Sequence, residues 1–301
     1  MSAAASLPVT AIAADRFADY RLMVRPRILV MSAVAVAAGF VLASPETVDW
    51  LLLTIAAPSI CLLVAASSVL NQVLESDSDY LMNRTSGRPL ASGRISRREG
   101  LLFGLLLASC GTALLWLFVN PATSVASLLT MLCYVLGYTP LKRRSEFCTT
   151  VGAVPGAMPP VLGWLAAGNA PGIECIALFA IFFVWQFPHF LAIGWIYRHQ
   201  YQAAGLKMLP SFTDEGRLTG LIALIYAVAF VPVACLPRFV GLAGTGYLAA
   251  AILLSSGYLW LTLQFSLSRS EVRARRLLAG SLICLPVLLG CLVFDFLRLT
   301  V

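Results

Sequence analysis

The chain carries little charge, and negative charge is the scarcer sign. Only 12% of its 301 residues are charged, with 14 acidic side chains against 21 basic ones. Together with 59% apolar residues and a mean hydropathy of +0.87, this composition is typical of a polytopic membrane protein. The net charge of +7 does not indicate nucleic-acid binding, because the sequence has no basic patch belonging to a soluble surface.

Paired cysteines and a charged leader are also missing. The eight cysteines include no Cys-x-x-Cys pair, and most lie in apolar segments, so we interpret them as small buried side chains. Residues 1–14 contain no Lys or Arg, whereas a secretory signal peptide begins with positive charge. We therefore expect residues 1–27 to form a cytoplasmic tail and residues 28–301 a single transmembrane domain.

Apolar segments recur along the whole domain and predict an all-α protein with nine transmembrane helices. The segments cover 28–43, 51–74, 99–119, 122–138, 151–167, 175–197, 218–236, 244–265 and 277–296. Of the 21 Lys and Arg residues, 19 lie in the tail or in the loops after the second, fourth, sixth and eighth segments. Positive charge favours the cytoplasmic side, which predicts a cytoplasmic N-terminus and an external C-terminus.

A short acidic run lies where the second segment meets the cytoplasmic side. Asn71, Glu75 and Asp79 are four residues apart, so they share one face of a helix, whereas Asp77 points to the other side. An amide and two carboxylates on one face form a hard oxygen site suited to Mg²⁺, which commonly also binds substrate phosphate. The alternative is a set of solvated acids after a helix end.

Cationic side chains follow the acidic run and recur after the fourth segment. Arg84 and Arg88 provide planar groups that can bind phosphate oxygens, and Lys142 and Arg143 are further candidates for diphosphate contacts. Membrane topology alone also explains positive charge in these loops. The two predicted functional loops cover about 75–98 and 198–217.

Two apolar segments contain residues that membrane helices tolerate only inside a bundle. The fifth segment opens with five Gly and Pro residues between 152 and 160, which implies the wall of a cavity rather than a lipid-facing surface. The sixth carries Gln186 and His189 three residues apart on one face, beside Trp185. These polar groups indicate a substrate contact, although a histidine in a bundle can also simply bond a neighbouring helix.

Taken together, these stretches resemble UbiA-type intramembrane prenyltransferases and, more narrowly, the protoheme IX farnesyltransferases (heme O synthases). The resemblance runs from about Tyr20 to Asp295. It is carried by the following stretches: residues 71–79, 82–90 and 138–143, Gly152–Trp164, Trp185–Phe190, and Tyr201 with Ala204, Gly205, Met208 and Leu209.

The resemblance implies a helical bundle around a central cavity that opens to the cytoplasmic side. It implies transfer of a farnesyl group from farnesyl diphosphate to the 2-vinyl group of heme B, with addition of water, giving heme O for heme-copper oxidases. Mg²⁺ would be held by Asn71, Glu75 and Asp79, which with Arg84 and Arg88 would be the catalytic residues. Diphosphate would be bound by Arg84, Arg88, Lys142 and Arg143, and the heme acceptor by Trp185, Gln186, His189 and Tyr201.

The expected location is a bacterial inner membrane among lipids, with heme A synthase or oxidase assembly factors as possible partners.

One position departs from the family pattern, and three other functions stay open. Gln200 precedes Tyr201, where the family usually has an Asp, so a second magnesium site is less expected here. The first alternative is a prenyltransferase of the same superfamily that acts on an aromatic acid for quinone synthesis. The others are a non-catalytic, heme-binding assembly factor and a transporter.

Overall fold

The computed structural model describes residues 9–209 and 216–300. Within these ranges all regular secondary structure is helical. The helices are α1 (Val9–Met23), α2 (Pro26–Leu42), α3 (Trp50–Tyr80), α4 (Arg97–Phe118), α5 (Pro121–Leu132), a π-helical turn (Cys133–Tyr138), α6 (Thr139–Leu141), α7 (Cys148–Ala166), α8 (Ile173–Ile196), α9 (Arg198–Ala203), α10 (Arg217–Phe239), α11 (Thr245–Ser268) and α12 (Glu271–Thr300). The predicted loop 75–98 begins inside the last turns of α3, and part of the predicted loop 198–217 lies outside the described residues.

Polar residues define where several apolar helices begin. The carboxylate of Asp49 accepts a hydrogen bond of 2.9 Å from the backbone N–H of Leu52 at the start of α3. Ser96 and Asn120 cap α4 and α5 in the same way. These side chains satisfy N–H groups that the first helical turn leaves without partners.

Each of the nine predicted apolar segments coincides with a helix, but fewer helices qualify as membrane spans by length and composition. In the described ranges seven do, or eight if Arg16–Met23 and Pro26–Leu42, bent by 46°, form one span. The helix α2 has 17 residues, and α7 is made less apolar by its prolines and glycines. The protein is therefore a multi-pass membrane protein, while the count of nine spans stays a prediction.

The core consists of two large apolar clusters that share α2 and α7. One cluster joins these two helices to α3, α4 and α5, and the other joins them to α8, α10, α11 and α12. The helices α2 and α7 pack very closely: a Cβ atom on Gly39 would lie 2.0 Å from the carbonyl oxygen of Pro160, and one on Gly163 would lie 2.0 Å from that of Val36. Only glycine permits this approach at the centre of the bundle.

The second half of α1 docks on the C-terminal part of α3 and the start of α4. Met23 is fully buried, and its carbonyl accepts a 2.7 Å hydrogen bond from Gln72 in α3. Tyr20 donates a 2.5 Å hydrogen bond to Glu99, and Asp19 forms an ion pair of 2.9 Å with Arg94. The predicted tail therefore includes a helix that packs against α3, α4 and the loop between them.

Candidate functional site

The C-terminal part of α3 buries the three predicted metal ligands. Asn71, Glu75 and Asp79 are 1%, 7% and 1% exposed, whereas Asp77 faces outward and pairs with Arg97. A membrane helix does not bury an amide and two carboxylates near its end unless they have partners. The spacing prediction of one shared inner face is confirmed.

The side-chain amide of Asn71 is oriented by Thr139, the first residue of α6. The Thr139 hydroxyl donates its only proton to the carbonyl of Tyr134 at 3.0 Å, so toward Asn71 it can only accept. The Nδ2 atom of Asn71 donates to it at 3.0 Å. The Oδ1 atom of Asn71 is consequently turned away from Thr139, and it is buried without a hydrogen-bond partner among the residues that the structure describes.

Glu75 faces Lys142, which directly follows α6. The distance from Lys142 Nζ to Glu75 Oε1 is 2.7 Å, and the same ammonium lies 4.3 Å from the centre of the Tyr138 ring. Burial alone would lower the pKa of Lys142, but its interactions with Tyr138 and Glu75 raise that pKa above the ordinary value. Lys142 is therefore a cation inside the site at neutral pH.

Asp79 faces Arg88 from the loop that follows α3. The distance from Arg88 Nη1 to Asp79 Oδ2 is 2.5 Å. The same loop also bonds the end of α3 through the Thr85 hydroxyl, which donates to the carbonyl of Asp79 at 2.8 Å. Each buried acid of the run is thus paired with a different predicted phosphate-binding cation.

Arg84 joins the loop after α3 to α9. Its guanidinium stacks over the ring of Tyr197, 4.7 Å from the ring centre, and donates to the hydroxyl of Tyr201 at 3.2 Å. Its backbone N–H donates to Oε1 of Gln200, also at 3.2 Å. The structure therefore places Tyr201, a predicted heme contact, against Arg84, a predicted diphosphate-binding residue, and gives Gln200 a role in joining two loops.

The loop after α6 completes the cover over the C-terminal end of α3. The carbonyl of Lys142 accepts a 2.7 Å hydrogen bond from the backbone N–H of Lys207, and Arg143 donates to the hydroxyl of Ser78 at 3.4 Å. The loops after α3, α6 and α9 thus meet above the acidic end of α3 and bring all four predicted diphosphate-binding cations to its surroundings.

The oxygen donors at the end of α3 fit a magnesium ion. Asn71 supplies a buried amide oxygen that has no partner in residues 9–209 and 216–300, and Glu75 and Asp79 supply carboxylates, which are the ligand types that Mg²⁺ prefers. Within the described residues no group of three or more His, Cys, Asp and Glu side chains is placed to hold a metal, so the amide is needed for a third protein ligand.

The other predicted polar groups lie on α8. The Nε2 atom of Gln186 donates a 2.9 Å hydrogen bond to the carbonyl of Ala153 in α7. Gly156 leaves space for the Oε1 atom of Gln186, because a Cβ atom at position 156 would lie only 2.2 Å from that oxygen. The imidazole of His189 is 9% exposed and lies 2.7 Å, through Nδ1, from the hydroxyl of Ser281 in α12.

Sequence reasoning missed Thr139 and Ser281 because each acts on a residue that is far away in the chain. Thr139 belongs to a stretch that carries the family resemblance, which is a signal that could have drawn attention to it. Ser281 lies in an apolar segment with no surrounding pattern.

Comparisons with known proteins agree with this arrangement. Residues 32–285 match the UbiA prenyltransferase family. A protoheme IX farnesyltransferase from Solibacter usitatus (strain Ellin6076) is 38% identical over 288 residues, which cover 92% of this chain and 98% of that protein.

Two solved structures share the fold. The apo structure of a UbiA homolog from Aeropyrum pernix K1 has a TM-score of 0.71 at 17% identity, covering 88% of this chain and 98% of that one. The structure of a UbiA homolog from Archaeoglobus fulgidus bound to GPP and Mg²⁺ has a TM-score of 0.63 at 18% identity, covering 93% and 99%. This chain belongs to the UbiA prenyltransferase family.

Proposed function

We propose that the protein transfers a farnesyl group from farnesyl diphosphate to the 2-vinyl group of heme B, with addition of water, and releases heme O and diphosphate. The observation that carries the diphosphate half of this proposal is the pairing of Glu75 with Lys142 and of Asp79 with Arg88 at a buried helix end. The heme half rests on the curated relatives, of which the Solibacter usitatus protein is one.

The cations act on the leaving group. Departure of diphosphate breaks the carbon–oxygen bond of the allylic substrate and places the electron pair on the phosphate oxygens. Lys142 and Arg88 are held close to that position by Glu75 and Asp79, and Arg84 and Arg143 approach from the loops. Positively charged donors fixed in place before the reaction stabilise the developing charge without reorganisation.

The acids serve the metal. Asn71, Glu75 and Asp79 would hold Mg²⁺, which supplies compensation for the negative charge of the diphosphate. In this proposal Lys142 and Arg88 neutralise the acids until substrate arrives and then contact diphosphate oxygens. Tyr201 takes part by orienting Arg84.

The acceptor side lies along α8. The vinyl carbon of heme B attacks the allylic cation, and water adds to the resulting cation and loses a proton to the released diphosphate, which leaves a hydroxyl group. His189, Gln186 and Trp185 are the candidates for contact with the porphyrin, in a cavity that opens toward the cytoplasm.

The proposed setting is a bacterial inner membrane, with nine spans, a cytoplasmic N-terminus and an external C-terminus. Residues 1–27 form the cytoplasmic segment before the transmembrane domain, and heme A synthase or oxidase assembly factors are the proposed partners for delivery of heme O.

The Glu75→Gln variant tests the role of the acidic run. Loss of the carboxylate should slow conversion of heme B to heme O by about 100-fold or more, because about 3 kcal/mol of transition-state stabilisation corresponds to that factor. The measurement is heme O formation by purified protein with farnesyl diphosphate, heme B and Mg²⁺, quantified by chromatography and mass spectrometry.

Asp77→Asn is the matched control, since Asp77 is an exposed carboxylate only two residues away. It should keep near-normal activity. Equal activity of both variants would overturn the metal site.

Product formation by the native protein with hydroxybenzoate, and none with heme B, would favour quinone synthesis. Heme binding without turnover by the native protein would favour an assembly factor.

A further inference from the structure

The hydrogen bonds around His189 determine which of its nitrogens carries a proton. Ser281 is fully buried, and its hydroxyl donates its single proton to the carbonyl of Leu278 at 2.6 Å. Toward His189 the hydroxyl therefore presents a lone pair, so Nδ1 of the imidazole, 2.7 Å away, must be the donor. In the neutral imidazole the other nitrogen, Nε2, is then unprotonated.

The stacked ring of Trp185 holds the imidazole in place, and Tyr258 in turn bonds the backbone of Trp185. Trp185, one helical turn before His189, stacks on it with ring centres 4.9 Å apart and planes inclined by 24°. The indole N–H of Trp185 donates to the carbonyl of Ser281 at 3.1 Å, and the hydroxyl of Tyr258 donates to the carbonyl of Trp185 at 2.9 Å. The same residue of α12 thus anchors both His189 and the ring stacked on it.

The unprotonated nitrogen has no hydrogen-bond partner in the part of the chain that the structure describes. A histidine that donates from one nitrogen to a fixed acceptor and leaves the other free has the arrangement of a metal ligand. The acceptor substrate of the proposed function contains an iron atom at the centre of its porphyrin.

We infer that Nε2 of His189 is the axial ligand to the iron of heme B, and that Ser281 is a positioning residue that sets the required tautomer. This inference rests on the proposed function for the identity of the porphyrin. Ligation adds a bond from the nitrogen lone pair to iron and fixes the macrocycle relative to α8, which in turn fixes where its vinyl groups lie.

The first test compares heme B with metal-free protoporphyrin IX as probes for the purified full-length protein. His189→Ala should weaken heme binding by about tenfold or more, as loss of a metal contact does, and should leave protoporphyrin IX binding nearly unchanged. The iron–histidine stretching band of the reduced protein in resonance Raman spectra should disappear, and added imidazole should restore ligation. An unchanged band would overturn the inference, as would equal losses for both porphyrins.

The second test uses Ser281. Truncating this side chain is a smaller change than His189→Ala, so the test remains possible if His189→Ala fails to fold. Ser281→Ala should shift the iron–histidine band and weaken heme binding, whereas Ser281→Thr, which keeps a hydroxyl, should resemble the native protein. Ser255→Ala is the control, because Ser255 is also fully buried and its hydroxyl donates to Ala251 within its own helix at 2.6 Å. Identical spectra and affinities for Ser281→Ala and Ser255→Ala would refute the positioning role.

Failure of this inference can be distinguished from failure of the proposed function. If the native protein forms heme O and the iron–histidine band persists in His189→Ala, the ligation by His189 is refuted and the farnesyl transfer is supported. If the native protein shows the band but forms no heme O, the ligation is supported and the farnesyl transfer is refuted.

Discussion

At the scale of single residues, the direction of one amide group decides whether the acidic run can bind a metal. An asparagine offers either an oxygen acceptor or two N–H donors, and only the oxygen can be a ligand of Mg²⁺. Thr139 fixes the choice, because its proton is already committed to Tyr134 and it can only accept from Asn71. A neutral side chain outside the proposed set of ligands thereby orients one of them.

Replacing Thr139 with Val should weaken magnesium binding by about tenfold, which is typical of losing a residue that orients a metal ligand. Valine has nearly the same shape but accepts no hydrogen bond, so the amide of Asn71 can rotate. The magnesium concentration for half-maximal turnover measures the effect. Thr139→Ser should behave like the native protein, and Thr262→Val, which removes a buried hydroxyl bonded within α11, is a control. An unchanged magnesium requirement in Thr139→Val would contradict the role of Thr139.

The same pair shows which parts of the site the sequence can predict. Asn71, Glu75 and Asp79 lie on one helix, so the helical period alone places them on a common face. The contact between Asn71 and Thr139 spans 68 positions, and the contact between His189 and Ser281 spans 92. Such contacts depend on how distant helices pack, and no local pattern records them.

At the scale of helices, apolar length predicted the elements well, because a segment in lipid must satisfy its own backbone. It did not predict α1 and α9, which are short or less apolar and owe their positions to contacts with neighbouring residues, nor that residues 133–138 of the fourth segment form a π-helical turn. The Gly and Pro residues between 152 and 160 were predicted to line a cavity. The structure gives Gly156, one of them, a packing role, since it admits Gln186, and Gly163, further along α7, admits the backbone of α2.

Gly39→Ala should therefore destabilise the bundle by about 1–3 kcal/mol or more, because the new methyl group would meet the backbone of α7 rather than a movable side chain. Thermal unfolding of purified protein in detergent provides the measurement. The matched variant is Gly257→Ala in α11, where no atom lies within 4 Å of the added Cβ. It should be neutral or slightly stabilising, since alanine favours helix formation. Equal melting temperatures for the two variants would show that α2 and α7 do not pack this closely.

At the scale of the whole molecule, charge is concentrated at one end of an apolar bundle. The docked part of α1, the loop after α3 and the loop after α6 carry arginines and lysines that pair with the few acids available there. Predicted topology and predicted chemistry depend on the same residues: the positive loops are predicted to remain on the cytoplasmic side, and some of their cations are proposed to bind diphosphate. A substrate delivered from the cytoplasm would meet this surface first.

The proposed topology can be tested by fusing reporter proteins to the C-terminus. Of the 21 basic residues, 19 lie in segments assigned to the cytoplasmic side, and this bias sets the orientation of membrane proteins. A C-terminal alkaline phosphatase should be active, because that enzyme forms its disulfides only outside the cytoplasm, and a C-terminal green fluorescent protein should be dark. Fusions truncated at residue 209, in the loop after α9, should give the opposite result. An active phosphatase at residue 209 would place the three loops outside the cell, where they could not meet farnesyl diphosphate made in the cytoplasm.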